Sequence, residues 1–320
     1  MLLIKRILIA TILLLTVLYL SFSYLLSNRI LETNSSFQNT LNDIENYWGT
    51  SYEEMIALLP PPSDFAVENN GVEIRGKYFT VSDTASCLFI FSHGWARGWQ
   101  NMLKYYPVVD DCNCNIIMYD HRAHGESGGK YPTGGIKEAD DLLLVTDWAV
   151  QTKGYNWNQI AWVGSSWGAG AALIAGADDR NPAFIVADSP YQDWYTAIFE
   201  RAILDYGSWI NGIAPAVMMW VNIRADIDHK EASPMQAAKN IVEPVFLIHS
   251  KADPKTNSRQ SANIASNLNE SSEFHHTEWG NIHVMDVISN QKDFKEMLQD
   301  FIRQNNIGAF AANSNEITIN

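Results

Sequence analysis

Short apolar or β-branched segments alternate with longer helical stretches between residues 63 and 305 of this 320-residue chain. The predicted strands are Val72–Val81, Cys87–Phe91, Asn115–Tyr119, Gln159–Val163, Ala183–Ala187, Val245–Ile248 and Glu273–Thr277. The predicted helices are Ile136–Thr152, Trp167–Ala177, Ser258–Asn267 and Val284–Arg303. Several strands are apolar throughout, which is typical of strands covered by helices on both faces. The alternation therefore predicts an α/β fold with a mostly parallel, doubly wound sheet.

The N-terminal 26 residues contain a long apolar segment preceded by two basic residues. Lys5 and Arg6 precede the run Ile7–Leu26, which contains no charged residue. About 20 such residues span the hydrocarbon core of a bilayer as a helix. Because positive charge is retained on the cytoplasmic side, we expect a cytoplasmic N-terminus and a main domain outside the cytoplasm. The segment is therefore predicted to be a single-pass transmembrane signal anchor.

A cleaved signal peptide is the alternative interpretation of this segment. Ile7–Leu20 would form its apolar region, and Ser21 and Ser23 are small enough for a cleavage site. The anchor is favoured because the apolar run continues past these serines to Leu26. A buried globular helix is disfavoured because the segment has no polar face. Under the alternative, the main domain is secreted.

Three further segments follow in the chain. Residues 27–62 are predicted to be a helical connector, in which Gln38–Leu59 has helical spacing and Pro60–Pro62 ends the helix. Residues 63–305 are long enough to form one large domain with its own core. The Asn- and Ala-rich residues 306–320 are predicted to be a flexible tail.

The chain is acidic, with a formal net charge of -14. Hydrophobic residues make up 47% and charged residues 18%, which fits a globular domain and argues against a disordered chain. An acidic surface repels the phosphate backbone of DNA and RNA. The composition therefore argues against a nucleic-acid partner.

The three cysteines are predicted to be unpaired thiols. Cys87 lies in an apolar run, which is typical of a cysteine buried as a small hydrophobic side chain. Cys112 and Cys114 lie in a polar stretch, and cysteines this close in sequence form a disulfide only with strain. The spacing matches neither a metal site nor a disulfide framework, so no metal is predicted.

One serine lies in a tight turn between a predicted strand and a predicted helix. The segment Gly164-Ser165-Ser166-Trp167-Gly168 has the pattern Gly-x-Ser-x-Gly. Small residues fit a strained turn that presents the serine hydroxyl at the positive end of the following helix. Ser166, at the centre of the motif, is the predicted nucleophile, and Ser165 is its rival. Gly164 and Gly168 support the turn.

A nucleophilic serine needs a base, and the base needs an acid that orients it. In a sheet of this kind the acid and the base follow later strands. The strand Val245–Ile248 leads into a loop that carries Asp253, the predicted acid. A turn-forming role before Pro254 is the competing interpretation of this aspartate. Asp188, which follows the strand Ala183–Ala187, is the fallback acid.

The next strand, Glu273–Thr277, is followed by a loop that carries His283, the predicted base. His275 and His276 lie inside the strand, where one is expected to face the core and the other the solvent. His249 ends its own strand and is interpreted as a structural residue or as one that supports the catalytic residues.

The strand Cys87–Phe91 leads into His93 and Gly94. The loop after this strand is expected to supply one backbone N–H group of an oxyanion hole, and the residue after the nucleophile the other. The two donors would be the amides of Trp95 and Trp167.

The segment Asp120–Ser127 reads Asp-His-Arg-Ala-His-Gly-Glu-Ser. It resembles the Asp-x-Arg-Gly-His-Gly-x-Ser loop of the α/β-hydrolases, although Ala123 stands where that superfamily usually has glycine. The motifs above follow in the same order as in the superfamily. The chain therefore resembles its membrane-anchored or exported serine esterases and serine aminopeptidase-like hydrolases. The resemblance covers Phe65–Phe301 and implies an α/β-hydrolase fold, with His121 and His124 as loop-packing residues.

The resemblance implies acyl transfer through an acyl-enzyme on a Ser-His-Asp triad, with no cofactor. Carboxylic esters are the first expected substrates, ahead of thioesters and amides. Residues 189–240 are a possible small helical insertion that forms a cap over the pocket. Their large apolar side chains favour an apolar or lipid-like acyl group in the substrate. These side chains are Trp194, Tyr195, Phe199, Tyr206, Trp209, Met218, Met219 and Trp220. Packing on the sheet is the preferred interpretation for most of them.

Two other functions fit the same sequence features. An acyltransferase would use the same triad with an alcohol in place of water. A non-catalytic binding module would keep the fold without turnover, although an intact set of serine, histidine and aspartate argues against it.

Overall fold

An eight-stranded mixed sheet forms the centre of the protein. The structure is a computed structural model and describes residues 1–312. The strands are β1 (Ser63–Asn69), β2 (Val72–Phe79), β3 (Leu88–Ser92), β4 (Asn115–Tyr119), β5 (Ile160–Ser165), β6 (Phe184–Asp188), β7 (Val245–Ser250) and β8 (Glu273–Thr277). Their order is β1-β2-β4-β3-β5-β6-β7-β8. Strand β2 pairs antiparallel with β1 and β4, and all other neighbouring strands are parallel.

Helices cover both faces of the sheet. The α-helices are α1 (Leu2–Leu31), α2 (Phe37–Asp43), α3 (Tyr52–Ile56), α4 (Tyr106–Val109), α5 (Ile136–Trp148), α6 (Trp167–Ala175), α7 (Trp194–Tyr206), α8 (Ala214–Ala225), α9 (Pro234–Ala237), α10 (Arg259–Ala265), α11 (Asp286–Ser289) and α12 (Gln291–Gln304). Successive strand residues point to opposite faces, so Phe89 packs in the layer under α12 and Ile90 in the layer under α5 and α6. The predicted, mostly parallel α/β fold is confirmed.

Strand β1 was not predicted from the sequence. It is an edge strand, and within it only Phe65 is buried. Such a strand needs no marked run of apolar, β-branched or aromatic residues, which is the signal that identified the other strands. Strand β2 also ends earlier than predicted, at Phe79.

The prediction of one helical segment over Gln38–Leu59 is wrong. The chain forms α2, a π-helical segment Ile44–Trp48 and α3 instead. Gly49 has a φ of 67°, a left-handed conformation that ends the first part. Ser51 then begins α3 with a capping box. The connector also starts later than predicted, because α1 continues without a break to Leu31.

The prediction of a flexible tail over residues 306–320 is wrong for the segment around Phe310. Phe310 is fully buried, and its ring centroid lies 5.1 Å from those of Phe89 and Phe184. This contact ties the chain to the core beyond α12. Residues 313–320 lie outside the described part of the chain.

A disulfide joins Cys87 and Cys114, so the prediction of three unpaired thiols is wrong. The two cysteines directly precede β3 and β4, which pair in parallel with Leu88 opposite Asn115. This register brings the two cysteine Cα atoms to 4.8 Å, within the range of disulfide geometry. Cys112 is a buried free thiol. The sequence alone did not reveal the pairing because it depends on the register of two strands.

Loss of this disulfide is expected to lower the free energy of unfolding by about 3–4 kcal/mol, because the bridge restricts the unfolded chain across 27 residues. The measurement is the urea midpoint of the detergent-solubilised protein with and without dithiothreitol. Reductant should lower the wild-type midpoint and leave that of Cys114→Ala unchanged. Cys112→Ala, which keeps the bridge, should respond as the wild type does. A wild-type midpoint that ignores the reductant would contradict the bridge.

Residues 189–240 form a helical cap that packs on the end of α1. Trp194, Phe199 and Met218 are buried in one apolar cluster with Ile30 of α1, and this cluster is separate from the two layers on the sheet. The preferred interpretation that these side chains pack on the sheet is therefore wrong. They pack on one another and on α1.

Helix α1 is, within residues 1–312, the one helix long and apolar enough to cross a membrane. Its most apolar stretch has a mean hydropathy of 2.2 and is exposed. Its C-terminal third is docked on α8. The indole nitrogen of Trp220 donates to the carbonyl of Leu20 at 3.1 Å, and Arg224 donates to Ser27 Oγ at 2.6 Å and to Asn28 Oδ1 at 2.7 Å.

Candidate active site

Ser166 lies in the turn between β5 and α6. Its φ of 52° and ψ of -105° are strained for a residue with a side chain, and such strain is concentrated at functional sites. The Ser166 amide donates to the carbonyl of Asp188 at 2.8 Å, which fixes the turn against β6. Because Ser166 immediately precedes α6, negative charge on its oxygen would lie beside the positive end of that helix.

Gly164 and Gly168 make the turn possible. A β-carbon on Gly164 would lie 2.5 Å from the Cα atom of Ala169, and one on Gly168 would collide with the carbonyl of Ser92. Both obstacles are backbone atoms, which cannot rotate away. Any larger residue at either position would therefore open the turn and displace Ser166.

His283 lies between Ser166 and Asp253. Its Nε2 atom is 2.7 Å from Ser166 Oγ, and its Nδ1 atom is 2.5 Å from Asp253 Oδ2. The loops that carry the acid and the histidine follow β7 and β8, so all three side chains meet at the carboxyl ends of the strands. With Nδ1–H donating to the carboxylate, Nε2 can accept the serine proton.

Asp253 is buried and fully hydrogen-bonded, with 1% of its side chain exposed. Oδ2 also accepts from His249 Nε2 at 3.0 Å, and Oδ1 accepts from the amides of Lys255 and Thr256 at 2.7 and 3.1 Å. Burial works to raise the pKa of Asp253, but attraction to His283 and the hydrogen bonds from the two histidines outweigh it. The pKa of this carboxyl is therefore held well below its usual range, and the group is ionised at neutral pH.

His249, which the sequence indicated to be a structural residue or one that supports the catalytic residues, contacts the predicted acid. The ring is buried, and its Nδ1 atom accepts from Ser261 Oγ at 2.7 Å. Its Nε2–H faces both Asp253 and the carbonyl of Thr256. His249 therefore helps to orient the acid, because it contacts the same carboxylate oxygen as His283.

The fallback acid and the rival serine lie away from His283. The Asp188 carboxylate accepts from the hydroxyls of Tyr105 at 2.6 Å and Ser189 at 2.8 Å, and within residues 1–312 it makes no hydrogen bond with His283. The Ser165 side chain is buried and has no hydrogen-bond partner in this range. Neither residue is arranged to take part in proton transfer with His283.

The two histidines of β8 face opposite sides, as expected from strand alternation. His275 is half-buried against Phe246 and bonds Glu273 at 2.9 Å. His276 is exposed and bonds Ser258 at 2.8 Å. Within residues 1–312, neither makes a hydrogen bond with Ser166.

The backbone around Gly94 approaches the serine closely. A β-carbon on Gly94 would lie 3.7 Å from Ser166 Cβ. Within residues 1–312, neither the Trp95 amide nor the Trp167 amide donates a hydrogen bond. The two indole rings pack edge to face, with centroids 4.8 Å apart. Two free N–H groups thus lie on the residues from which the sequence predicted an oxyanion hole.

His93, His121 and His124 form a buried cluster beneath Trp95. The Nε2 atom of His93 accepts the amide of His121 at 3.0 Å, and Nδ1–H of His124 donates to the carbonyl of Arg122 at 2.9 Å. Burial lowers the pKa of all three imidazoles, that of His124 to about 4. The cluster is therefore neutral at physiological pH and supports the loop behind the serine.

The loop that carries this cluster is held by Asp120. Its two carboxylate oxygens accept the amides of Trp99 and Glu126, each at 2.8 Å. Ala123 in the same loop has a φ of 58°, which explains why glycine is usual there. The alanine costs about 1 kcal/mol of backbone strain, and the hydrogen bonds of the loop are kept.

Replacing His124 with glutamine is expected to make stability less sensitive to acid. The folded protein keeps this imidazole neutral down to pH about 4, whereas the unfolded chain protonates it below about pH 6.5. Stability from this group is therefore lost as pH falls through that window. Between pH 7 and pH 5 the loss amounts to about 2 kcal/mol.

The measurement is the free energy of unfolding in urea at pH 7 and pH 5. The decrease in the free energy of unfolding from pH 7 to pH 5 should be about 2 kcal/mol smaller in His124→Gln than in the wild type. His276→Gln, which replaces an exposed histidine, is the matched control and should change the difference little. Equal pH dependence in wild type and His124→Gln would show that His124 is not kept neutral by the fold.

A cavity of about 940 Å³ opens beside Ser166 and His283. The cap contributes apolar walls from Trp194, Phe199 and Ile210. Large apolar side chains next to a hydroxyl nucleophile suit the acyl part of a substrate.

The other walls were not predicted from the sequence. Leu26, Arg29 and Ile30 from the end of α1 line the cavity, together with Asp43 and Tyr47 of the connector. These residues lie more than 100 positions before Ser166 in the chain, and no local pattern marks them. The docking of α1 on the cap brings the α1 residues to the site, and hydrogen bonds from Arg97 and Asn101 hold Asp43 there.

A parallel sheet whose central strand ends in a strained serine turn, with acid and histidine on later loops, is the arrangement of the α/β-hydrolase superfamily. A sequence model of the prolyl oligopeptidase family, peptidase S9, matches residues 114–307, which is more than half of the chain. The chain therefore belongs to the prolyl oligopeptidase family.

The proteins to which the chain is similar include an uncharacterized bacterial protein and, in fold, an esterase and a peptidase. The uncharacterized protein YqkD of Bacillus subtilis is 30% identical over 236 residues, which cover 72% of this chain and 76% of that protein. Esterase Pf2001 of Pyrococcus furiosus superposes with a TM-score of 0.61 at 20% identity, over 80% of this chain and 96% of its own. The acylaminoacyl peptidase of Pyrococcus horikoshii superposes with a TM-score of 0.57 at 16% identity, over 79% of this chain and 43% of its own. The two solved structures share the α/β fold of this chain.

Proposed function

We propose that this protein hydrolyses carboxylic esters through an acyl-enzyme formed on Ser166. The observation that carries the proposal is the position of His283, within hydrogen-bond distance of both Ser166 Oγ and Asp253. In the proposed reaction His283 accepts the serine proton while the hydroxyl oxygen attacks the ester carbonyl. Asp253 keeps the imidazole oriented and stabilises its positive charge.

The tetrahedral intermediate carries negative charge on the former carbonyl oxygen. The free amides of Trp95 and Trp167 are proposed to donate to this oxygen, and the start of α6 adds favourable potential. His283 then protonates the leaving alcohol. Water, deprotonated by His283, attacks the acyl-enzyme, which releases the acid and restores Ser166. The proposed cycle requires no metal or cofactor.

The apolar cavity favours an ester of an apolar acyl group over a peptide. The test compares 4-nitrophenyl butyrate with the 4-nitroanilide of N-acetylalanine on the detergent-solubilised full chain. We expect kcat/KM for the ester to exceed that for the anilide by at least about 100-fold. Comparable turnover of the anilide would instead indicate a peptidase. Formation of a butyrate ester of added glycerol, faster than release of free butyrate, would indicate an acyltransferase.

We further propose that α1 remains attached as a single-pass anchor, with the catalytic domain outside the cytoplasm. The basic residues Lys5 and Arg6 precede the apolar segment, and the disulfide between Cys87 and Cys114 is typical of an oxidising compartment. Ser23, one of the two candidate cleavage residues, is fully buried.

Membrane fractionation tests this topology. The chain should stay in the pellet after alkaline carbonate extraction, and its intact mass should include the N-terminal segment. A mature protein that begins after residue 21 or 23 would contradict the anchor and favour secretion.

A further inference from the structure

The bilayer and the cap meet along α1. A hydrocarbon core about 30 Å thick takes about 20 residues of helix at 1.5 Å per residue. Counted from Ile7, the first residue after the basic pair, the spanning segment ends at Leu26. The cap begins to contact α1 before that point, because the hydroxyl of Tyr19 donates to the carbonyl of Gly212 at 2.9 Å. The cap therefore lies beside the last two turns of the spanning segment.

Aromatic side chains mark the same level. The ring of Phe22 stacks on Trp209 with centroids 6.3 Å apart, and Tyr24 packs edge to face on Trp220 at 5.4 Å. Tryptophan and tyrosine are enriched where a protein crosses the boundary between hydrocarbon and water. Their position agrees with the depth obtained from helix length.

Large apolar side chains of the cap are exposed around this contact. We call Tyr206, Trp209, Met219 and Ile223 the apolar rim; 59%, 54%, 39% and 63% of their surfaces are exposed. Trp209 and Tyr206 are joined by a hydrogen bond of 2.7 Å from the indole nitrogen to the backbone carbonyl. Met219 and Ile223 are one turn apart on α8, the helix that holds α1. An exposed apolar surface next to a membrane span is suited to a lipid surface.

The cavity reaches the apolar rim from the catalytic side. Leu26 and Ile30 of α1 and Tyr206 of the rim line it together with Ser166 and His283. The cavity therefore connects the serine with the junction between α1 and the cap, the level at which acyl chains of a bilayer end.

We propose that the apolar rim seats the cap in the bilayer surface and that membrane-resident acyl esters enter the cavity between α1 and the cap. This inference rests on the proposed ester hydrolysis at Ser166 and specifies its substrate class. The substrate is an ester with a long acyl chain dissolved in the membrane, and it reaches the serine without crossing the aqueous phase.

The test uses the full chain reconstituted in phosphatidylcholine vesicles and two esters, monooleoylglycerol dissolved in the bilayer and water-soluble 4-nitrophenyl butyrate. The double variant Met219→Glu/Ile223→Glu places charges on the rim, and neither residue lines the cavity. We expect at least a tenfold loss of monooleoylglycerol hydrolysis and less than a twofold change with the butyrate ester. Unchanged butyrate hydrolysis also shows that the variant is folded.

Val242→Glu is the matched control. Val242 is 67% exposed and lies before the amino end of β7, at the edge of the sheet opposite the serine. This variant should hydrolyse both esters as the wild type does. Equal losses on both esters in the rim variant, or no loss on monooleoylglycerol, would overturn the inference. A wild type that cleaves the butyrate ester but not monooleoylglycerol would overturn it as well and leave ester hydrolysis standing, whereas a wild type that cleaves neither ester would overturn both proposals.

Discussion

Replacing Ser166 with alanine is expected to lower kcat for ester hydrolysis by about 10⁴–10⁶-fold, because the only hydroxyl in contact with His283 Nε2 within residues 1–312 is removed. Alanine has the same β-carbon as serine, so the strained turn is kept and the protein should fold. The residual rate would come from the oxyanion-binding amides and the cavity. The measurement is kcat and KM for 4-nitrophenyl butyrate.

Ser165→Ala is the matched control for this prediction. Its hydroxyl is the neighbouring one in sequence, but it is buried and has no hydrogen-bond partner in the described chain. We expect its kcat to stay within about tenfold of the wild type, since no step of the proposed reaction uses it. The reverse ranking, with Ser165→Ala inactive and Ser166→Ala active, would identify Ser165 as the nucleophile and contradict the role proposed for Ser166.

Replacing Asp253 with asparagine is expected to lower kcat by about 10⁴-fold with little change in KM. The carboxylate accepts the Nδ1–H of His283 at 2.5 Å and so leaves Nε2 free to take the serine proton. An amide NH₂ group in its place can donate to the imidazole and favour the wrong tautomer. It also removes the negative charge that stabilises the imidazolium.

Asp188→Asn separates this effect from a general loss of buried charge. Asp188 is buried as deeply as Asp253, but its carboxylate accepts from Tyr105 and Ser189 and not from the base. Its kcat should fall by less than about tenfold. A loss in Asp188→Asn that matches or exceeds that in Asp253→Asn would identify Asp188 as the acid.

Local sequence patterns were sufficient to predict most of the sheet. Strands β4 and β8 have the predicted bounds, because each is a short segment with β-branched or aromatic residues that is flanked by polar turns. The three candidate site residues were found for the same reason, since each follows a strand and the carboxyl ends of parallel strands converge. Predicting Ser166, Asp253 and His283 thus required only the order of the strands along the chain and not the packing between them.

Features that depend on contacts between distant segments were not predictable. The bridge between Cys87 and Cys114 requires the register of β3 on β4, which the sequence pattern does not specify. The docking of α1 on the cap combines polar contacts, such as Arg224 with Ser27, with apolar contacts such as Tyr24 on Trp220, and no local pattern in the uniform apolar segment marks either kind. The cavity walls from α1 follow from that docking, and Asp43 of the connector is held at the cavity by hydrogen bonds from Arg97 and Asn101. Phe310 was assigned to a flexible tail because a single aromatic residue gives no periodic signal.

The most direct test of the central claim is covalent labelling of the detergent-solubilised full chain with a fluorophosphonate, followed by mass spectrometry of its peptides. A serine activated by His283 should give one adduct on Ser166, and Ser166→Ala should not be labelled. A folded wild type that remains unlabelled, or an adduct on another serine, would contradict a catalytic role for Ser166 and with it the proposed ester hydrolysis.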